Sequence, residues 1–474
     1  MPGFLHDDFL LTTETGRALF HDAAESAPIV DVHNHLSPAD IATDRTWETL
    51  ADLWLADDHY KWRAMRLAGI DEHLITGDAD PWDRFTAWAA TVPRTIRNPL
   101  YAWTHLELRR VFGIDAPLSR DTAKEIWEEA NRQLPQWTAR TLLRRFNVRV
   151  VATTDDPADA LAHHVSMRAE PEVSEHITMI PTLRPDAAHR LLTDPEAWQR
   201  WTERLRDATG LAVTDLASLL EALRISYARM ASLGGRASDH GLARLPDVER
   251  NALAADRVVR RAVAGLAATA EERDLVLLEV VALAARLAFA DDSVLQLHLG
   301  PLRNVSPRLL GQVGPDAGAD VMGDERQANG LARFLGGLER DRSLPRTVLY
   351  NLNPSDNALF AAMAGAFARP GVSGLVQWGP PWWFNDHEDG MRRQIDDLSQ
   401  IHQLAGFIGM LTDSRSIPSM TRHELFRRVL CDAIGADVDA GRIPADLPWL
   451  RSVVRDICVG NALRFFGFRV EWSQ

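Results

Sequence analysis

Short apolar runs that end in polar residues recur along the chain and predict buried parallel strands. A continuous apolar run suits a strand that is covered on both faces, as in sheets flanked by helices. Helical patterns fill most of the intervals, for example at 274–288 and 357–368. Eight runs have this character: 29–35, 148–155, 177–184, 235–240, 294–299, 347–353, 374–378 and 407–413.

Eight strands that alternate with helices predict an α/β fold, and a distorted, TIM-like (β/α)8 barrel over the single domain 1–474 is favoured. The fourth run, 235–240, has weak strand character. An open doubly wound sheet is the alternative. No glycine-rich phosphate fingerprint follows a predicted strand, which weakens the nucleotide-binding version of that alternative.

The interval 37–146, between the first two predicted strands, predicts a large helical insertion. Helical patterns cover 100–111 and 122–133, and the interval holds eight of the fifteen tryptophans. Loops that follow barrel strands start at the face where active sites form. We therefore expect this insertion to cap the barrel mouth.

Composition and charge narrow the class of protein. The chain has 474 residues, of which 46% are hydrophobic, and a net charge of −14. This charge argues against nucleic acid or an anionic membrane as the main partner, and no apolar run is long enough to span a bilayer. Two cysteines, Cys431 and Cys458, are too few for a disulfide framework, so we expect a cytoplasmic protein.

Polar residues at the strand ends are the strongest chemical signal, because all strands of a parallel barrel open at one face. His33 and His35 alternate on the first strand and share a side, while Asp413 ends the last strand, its neighbour in a closed barrel. Two imidazoles and a carboxylate predict a divalent metal site with room for water or substrate. The other polar tails are 154–156, Arg184, 239–240, His298, 351–353, Trp378 and 414–415.

Several of these residues also have structural explanations. Arg184 and Arg415 suggest a small carboxylate substrate, because guanidinium binds carboxylate in a bidentate manner; each could instead pair with a nearby aspartate. His298 could be a satisfied core histidine, and 155–157 suits a helix N-cap. A His59-Tyr60 pair in the insertion could supply acid–base chemistry over the mouth, or belong to an aromatic surface helix.

The scarcity of lysine excludes some mechanisms. Lys61 and Lys124 are the only lysines, and neither lies on a predicted core strand. A Schiff-base lysine or a bridging lysine carbamate therefore has no good position in this chain.

The chain resembles one family, uronate isomerase (glucuronate isomerase), within the amidohydrolase superfamily. The resemblance runs over essentially the whole chain. It is carried by DVHNHL at 31–36, DHYKWRAMR at 58–66, NPLYAWTHLEL at 98–108, TTDDP at 153–157, RPD at 184–186, QLHLG at 296–300, WWF at 382–384, GMLTDSRS at 409–416 and RHE at 422–424.

The resemblance implies an enzyme that interconverts an aldose uronate and a ketose uronate. D-Glucuronate and D-fructuronate are the expected pair, with D-galacturonate and D-tagaturonate as a second pair. It implies one divalent metal ion, typically zinc, held by His33, His35 and Asp413. A small uronate is the expected partner, and the family's tendency to assemble implies a homo-oligomer.

The resemblance also implies roles for individual residues. Asp413 would act as base on a substrate hydroxyl. His59 and Tyr60 match a catalytic pair, in which Tyr60 would move the carbon-bound proton, while the metal and His298 would stabilise a cis-enediol intermediate between C2 and C1. A hydride shift is the competing route. The implied substrate contacts are Arg184, which is the better candidate for the carboxylate, Arg415, Trp382 and Arg464.

Departures from the family pattern stand at Gly235, 305–306, 315–322 and Met420, and we expect them to affect substrate preference more than reaction class. Two other functions compete with isomerisation. A one-metal hydrolase or decarboxylase acting on a small carboxylate would use the same His and Asp residues to activate water. A non-catalytic carbohydrate-acid binding protein would keep the fold without turnover.

Overall fold

The computed structural model describes residues 3–170, 175–470 and 472. Its strands are β1 Ile29–Asp31, β2 Val148–Asp155, β3 Thr178–Leu183, β4 Ala237–Leu242, β5 Val294–Leu299, β6 Pro301–Leu302, β7 Val321–Met322, β8 Arg346–Asn351 and β9 Val376–Trp378. Seven of them form one parallel sheet in the order β1-β2-β3-β4-β5-β8-β9. The strands β6 and β7 pair separately as an antiparallel hairpin beside it.

This curled sheet of consecutive parallel strands confirms the predicted α/β barrel type, and seven of the eight predicted runs contain a strand of the sheet. The weak fourth run is one of them, since β4 pairs with β5 over six residues. Sequential neighbours pair because each crossover returns the chain beside the strand it has just left.

The eighth predicted run, 407–413, forms no strand in the part of the chain that the structure describes. Gly409 and Asp413 have φ values of 79° and 48°, which interrupt an extended backbone. The end of the run still lies against the end of β1. Asp413 donates its N–H to the His33 carbonyl at 3.2 Å, and His35 donates to the Ser414 carbonyl at 2.9 Å.

Helices cover the outside of the sheet, and their bounds follow the predicted helical patterns closely. Outside the interval between β1 and β2, the described α-helices are Glu14–Leu19, Ala162–Arg168, Ala187–Arg190, Pro195–Thr209, Leu216–Ser232, Ala252–Val263, Ala270–Ala290, Pro307–Val313, Ala328–Arg340, Asn357–Ala366, Glu388–Ile401, Thr421–Asp439, Leu447–Arg455 and Asn461–Phe466. None of the described helices combines the length and the apolar character that crossing a bilayer requires.

The chain between β1 and β2 is built from short helices that pack on one another through aromatic residues. Trp54, Trp88 and Trp103 are buried there. Aspartate and asparagine N-caps begin several of these helices, as Asp58 does for the helix that carries His59. The helices are Pro38–Ala42, Leu50–Leu55, His59–Leu67, Glu72–Ile75, Pro81–Thr91, Pro99–Glu107, Ala123–Gln133 and Ala139–Arg145.

Candidate active site

A cavity of about 250 Å³ lies at the C-terminal ends of the strands. It is the position that barrel geometry favours for a site, because the loops from several strands meet there. Its walls are strongly polar. The lining residues are His33, His35, His59, Thr154, Asp155, Asp156, Arg184, Asp186, Ala187, Arg190, Gly241, His298, Arg303, Asp316, Trp382, Trp383, Asp413 and Arg415.

Three of the predicted residues, His33, His35 and Asp413, come together at the bottom of this cavity. The Nε2 atoms of His33 and His35 lie 3.1 and 3.2 Å from the same oxygen of Asp413. The left-handed backbone at Asp413 and its N–H bond to the His33 carbonyl hold the carboxylate against both rings. Two imidazoles and one carboxylate around a single point form a candidate site for a divalent cation.

The ionisation of His35 and Asp413 suits such a site, whereas for His33 burial lowers the pKa but Asp239 and Asp413 together raise it above its ordinary value. Burial lowers the pKa of His35 to about 4, so its imidazole is neutral at physiological pH and has a lone pair to donate. Burial opposes ionisation of Asp413, but hydrogen bonds from His33 and His35 hold the pKa of that carboxyl well below its usual value. A metal ligand must be deprotonated, and both His35 and Asp413 are deprotonated at physiological pH.

Asp239, the third residue of β4, organises the inner wall. In the sequence it stood only among the polar strand tails and was given no role of its own. One of its oxygens lies 2.6 Å from Nδ1 of His298, and the other lies 3.3 Å from Nη1 of Arg184 and 3.7 Å from Nδ1 of His33. Asp239 is fully buried. The available signal was its position in the polar tail of a strand that the apolar pattern predicted only weakly.

The group His33, Asp239 and His298 could also hold a metal by the spacing of its ligand atoms. Arg184 occupies the free oxygen of Asp239, however, and a guanidinium there repels a second cation. The group that contains His35 and Asp413 is therefore the stronger candidate for a cation site.

His298 takes part in the site instead of being a satisfied core residue. Its Nδ1 is paired with Asp239, while its buried Nε2 has no hydrogen-bond partner among the described residues. Its ring stacks on Tyr350 at 4.1 Å and meets the edge of Trp382 at 4.7 Å. Trp382 is itself fixed by a 3.1 Å hydrogen bond from its indole N–H to the Asn351 carbonyl.

Arg184 lines the cavity, but two aspartates already neutralise it. Its Nε lies 3.2 Å from Asp186 and its Nη1 lies 3.3 Å from Asp239. Pairing with a neighbouring aspartate was the structural explanation considered for this arginine, and the Asp186 contact is such a pair. Arg184 can still present its remaining N–H groups to a ligand.

His59 and Tyr60 begin the helix His59–Leu67, but only His59 lines the cavity. Asp58 accepts hydrogen bonds from the N–H groups of Tyr60 and Lys61 at 3.0 and 3.1 Å, which fixes the start of the helix. Burial and the nearby Arg415 lower the pKa of His59 to about 4. His59 is therefore a neutral proton acceptor, and its ring stacks on Trp383 at 5.6 Å.

Tyr60 lies behind His59, outside the cavity lining. Its ring packs edge-on against Trp103 and under the guanidinium of Arg422, which lies 4.9 Å from the ring centre. The hydroxyl is buried and has no hydrogen-bond partner among the described residues. Burial raises the pKa of Tyr60 well above its usual value, so the hydroxyl keeps its proton.

The opposite wall is formed by cationic residues, of which sequence reasoning found only Arg415. Arg303 stacks over Trp383 with its guanidinium carbon 5.5 Å from the ring centre, and Asp316 reaches toward both arginines. Arg190 completes this wall. Asp316 belongs to the divergent segment 315–322, and that departure from a family pattern was the only signal for it in the sequence.

The polar tail of β2 does not form the expected helix N-cap, because the next helix begins only at Ala162 with Leu161 as its N-cap. Asp156 instead closes a turn, since it accepts hydrogen bonds from the Ala158 N–H at 2.8 Å and from the Trp201 indole N–H at 2.9 Å. Asp155 also lines the cavity. Burial raises the pKa of Asp155 to about 7, although a hydrogen bond from Thr153 lowers it.

Arg464 was expected to contact the substrate, but in the single chain its side chain does not reach this cavity, so that expectation is corrected. Its guanidinium is 57% exposed and pairs with Asp456 at 2.8 Å. Its helix lies at the other end of the barrel: Asn461 binds the Phe407 carbonyl, and the Phe466 carbonyl accepts from Arg236, just before β4. Those positions are the N-terminal ends of strands, far from the site that the C-terminal ends form.

Comparisons with known proteins converge on one family. A family model described as glucuronate isomerase matches residues 1–466. The uronate isomerase of Solibacter usitatus is 44% identical over 469 residues, which cover 98% of this chain and 100% of that protein.

Solved structures give the same result. The crystal structure of the uronate isomerase from Thermotoga maritima matches with a TM-score of 0.90 and 35% identity over 98% of this chain and 99% of that chain. The glucuronate isomerase from Caulobacter crescentus matches with a TM-score of 0.88 and 25% identity over 100% of this chain and 99% of that chain. The sequence relatives and these two structures thus carry the same activity in their names.

Proposed function

The chain belongs to the glucuronate isomerase family, and on that premise we propose that it interconverts D-glucuronate and D-fructuronate, and also D-galacturonate and D-tagaturonate. One observation carries the proposal. A single polar cavity contains the group His33, His35 and Asp413, the neutral imidazole of His59 and several arginines. An aldose–ketose isomerase for an anionic sugar needs these three elements: a place for the two reacting oxygens, a proton carrier and a binding site for the carboxylate.

The reaction moves the carbonyl from C1 to C2, which requires removing a proton from C2 and delivering one to C1. We propose that His59 accepts the carbon-bound proton, because it faces the cavity and is neutral. This differs from the sequence expectation, which gave that step to Tyr60. Tyr60 is proposed as a donor behind His59, since its hydroxyl is protonated and has no partner among the described residues.

The cis-enediol intermediate carries negative charge on its oxygens, and the cavity offers groups that stabilise it. Asp413 is ionised and can accept the proton of a substrate hydroxyl. Nδ1 of His298 donates to Asp239, and burial lowers the pKa of this imidazole to about 4, so its unpaired Nε2 carries a lone pair. His298 is therefore proposed to accept the proton of a substrate hydroxyl, and it can donate to an oxygen anion only after gaining that proton. Trp382, packed against His298, excludes water from this side of the site.

The ligand set supports binding of a single divalent cation, for which we propose zinc. His33, His35 and Asp413 would hold it, since neutral imidazoles and a carboxylate suit a borderline divalent ion. When bound, the ion would polarise the substrate carbonyl and its neighbouring hydroxyl.

The carboxylate of the substrate is proposed to bind the arginines that line the cavity. Arg415 and Arg184 both line the cavity, and Arg415 is the less neutralised of the two. We further propose that the helical segment 37–146 caps the mouth, which is supported by the position of His59 on the cavity wall. Assembly into a homo-oligomer and residence in the cytoplasm stay predictions.

The test is to incubate the purified protein with D-glucuronate in deuterated buffer and to follow proton NMR. We expect formation of D-fructuronate with solvent deuterium at C1, the carbon that gains hydrogen. Ketouronate without deuterium would keep the isomerase and contradict exchange through a solvent-accessible enediol. No ketouronate from glucuronate or galacturonate, with zinc or manganese added, would contradict the proposed function, as would release of a cleaved product.

A further inference from the structure

The arginines that line the cavity differ in how completely protein carboxylates neutralise them. Arg184 pairs with Asp186 and Asp239, which are both buried. Arg303 lies 3.2 Å from Asp320, another buried carboxylate. These two guanidiniums therefore have strong, permanent counter-ions inside the protein.

Arg415 has a much weaker counter-ion. Its Nη2 lies 3.4 Å from Oδ2 of Asp316, whose other oxygen lies 3.6 Å from Nη1 of Arg303. The side chain of Asp316 is 43% exposed. Arg190, on the same wall, has no side-chain ion pair within the described ranges. Asp316 thus faces several cations but holds none of them tightly.

The backbone that carries Asp316 is firmly anchored even though its carboxylate is loosely held. Arg63 donates hydrogen bonds to the carbonyls of Gly318 and Asp320 at 3.2 and 2.8 Å, and Arg66 donates to the Ala317 carbonyl. This ties the loop to the helix His59–Leu67 of the insertion. The side chain of Asp316 can therefore swing away from Arg415 without movement of the loop.

Asp316 carries its charge at neutral pH. Burial alone would raise the pKa of its carboxyl, but Arg415 and Arg303 lower it below its ordinary value. An anion thus stands beside Arg415 while the cavity contains no substrate.

We propose that Asp316 is an internal counter-ion that competes with every small anion for Arg415, so that only a ligand with additional contacts in the cavity displaces it. An exposed ion pair contributes about 0 to 1 kcal/mol, whereas a bidentate carboxylate–arginine pair is stronger. A uronate gains further contacts through its hydroxyls, but an inorganic anion does not. Asp316 thereby weakens the binding of every anion at Arg415, so that a uronate, with its further contacts, still binds at concentrations where an inorganic anion does not; this inference rests on the proposed function.

The test compares Asp316→Asn with a matched control, Asp324→Asn. Asp324 is exposed two residues after β7, so its substitution removes the same charge outside the cavity lining. We expect Asp316→Asn to lower the KM for D-glucuronate roughly threefold to fivefold, as loss of a competing ion pair of about 1 kcal/mol predicts. The kcat should change less than the KM. Asp316→Glu should behave like the unmodified protein.

A second measurement separates this proposal from the proposed function. Calorimetric titration with inorganic phosphate should show the same threefold to fivefold tightening in Asp316→Asn and none in Asp324→Asn. This result stands even if no uronate is isomerised, in which case only the reaction would be wrong. Unchanged phosphate binding in Asp316→Asn overturns the counter-ion role, and a higher KM would show that Asp316 orients Arg415 instead of competing for it.

Discussion

The two ends of the barrel hold buried charged side chains, but they differ in how completely these are hydrogen-bonded. At the C-terminal ends of the strands, Nδ1 of His33 and Nε2 of His298 are buried without a hydrogen-bond partner among the described residues. Buried polar atoms in folded proteins are nearly always paired. Two unpaired imidazole nitrogens in one place therefore indicate that a ligand completes the site.

The opposite end shows the contrasting case. Arg427 is buried next to the start of β1, and its guanidinium donates to the carbonyls of Ala24, Ala27 and Pro28 at 3.0, 2.7 and 2.8 Å. The protein itself satisfies this cation. A buried charge whose hydrogen bonds go to the backbone stabilises the fold, whereas one that stays partly unpaired is available for binding.

The largest expected effect of a substitution is at the metal ligands. Asp413→Asn should lower kcat/KM about 10³-fold or more, because it removes both a ligand of the proposed cation and the acceptor for a substrate hydroxyl. The metal content, measured by elemental analysis, should fall with it. Asp456→Asn, at the opposite end, is the matched control and should keep both. Full metal content with unchanged turnover in Asp413→Asn would contradict this assignment of the site.

The next effect concerns the proton carrier. His59→Asn should lower kcat about 10²-fold or more with a smaller change in KM, as loss of a positioned acid–base group predicts. Tyr60→Phe should have a smaller effect, because its hydroxyl lies outside the cavity lining. Steady-state kinetics on both variants decide between them. A greater loss of kcat in Tyr60→Phe than in His59→Asn would show that Tyr60, and not His59, transfers the carbon-bound proton.

At the opposite end the expected loss is one of stability. Arg427→Met removes the guanidinium that binds three buried carbonyls. The Ala24 carbonyl still accepts from the Ala27 N–H at 3.2 Å, whereas the carbonyls of Ala27 and Pro28 lose this donor, at a cost on the order of 1 to 3 kcal/mol for each group left unpaired. The melting temperature should fall clearly, while kcat/KM of the folded fraction stays within about twofold. Calorimetry combined with activity measured well below the transition tests this. A selective loss of kcat with an unchanged melting temperature would remove the distinction between the two ends.

A smaller effect concerns Asp155, a cavity residue whose protonation should change the stability of the fold with pH. The pKa of Asp155 is raised to about 7 from 3.8, so the folded protein keeps a proton that the unfolded chain releases. Its contribution to stability is therefore complete below about pH 4 and is lost as the pH rises through 7. Asp155→Asn cannot ionise, so its melting temperature relative to the unmodified protein should rise by a few degrees between pH 5 and pH 8. A pH-independent difference would show that this carboxyl is not protonated in the fold.

Sequence patterns could predict the architecture because strand burial and strand order follow from local information. The run 407–413 shows the limit of such prediction. Its apolar character is that of a strand, but positive φ values at Gly409 and Asp413 prevent regular strand pairing. That backbone conformation turns Asp413 toward His33. The backbone here adopts the conformation that positions Asp413 and does not form a regular strand. The pattern of hydrophobic residues gives no sign of this difference.

The site was only partly predictable, for reasons that differ between residues. His33, His35 and Asp413 were found because strand ends of a parallel barrel converge. Asp239 was given no role of its own because its strand is poorly marked. Asp316 comes from a loop between a helix and β7, and no periodicity places a loop residue over a cavity.

The smallest expected effect is the sharpest check on the contrast between the two ends. Arg464 was expected to contact substrate, yet it is exposed beside Asp456 at the end away from the cavity. Arg464→Ala should leave kcat and KM within about twofold, because an exposed ion pair contributes little and Arg464 does not line the cavity. Arg415→Ala, measured in the same assay, should raise KM strongly. If Arg464→Ala also raised KM, Arg464 of a neighbouring copy would have to reach the cavity. The end of one barrel whose buried charges are fully hydrogen-bonded would then complete the cavity end of another.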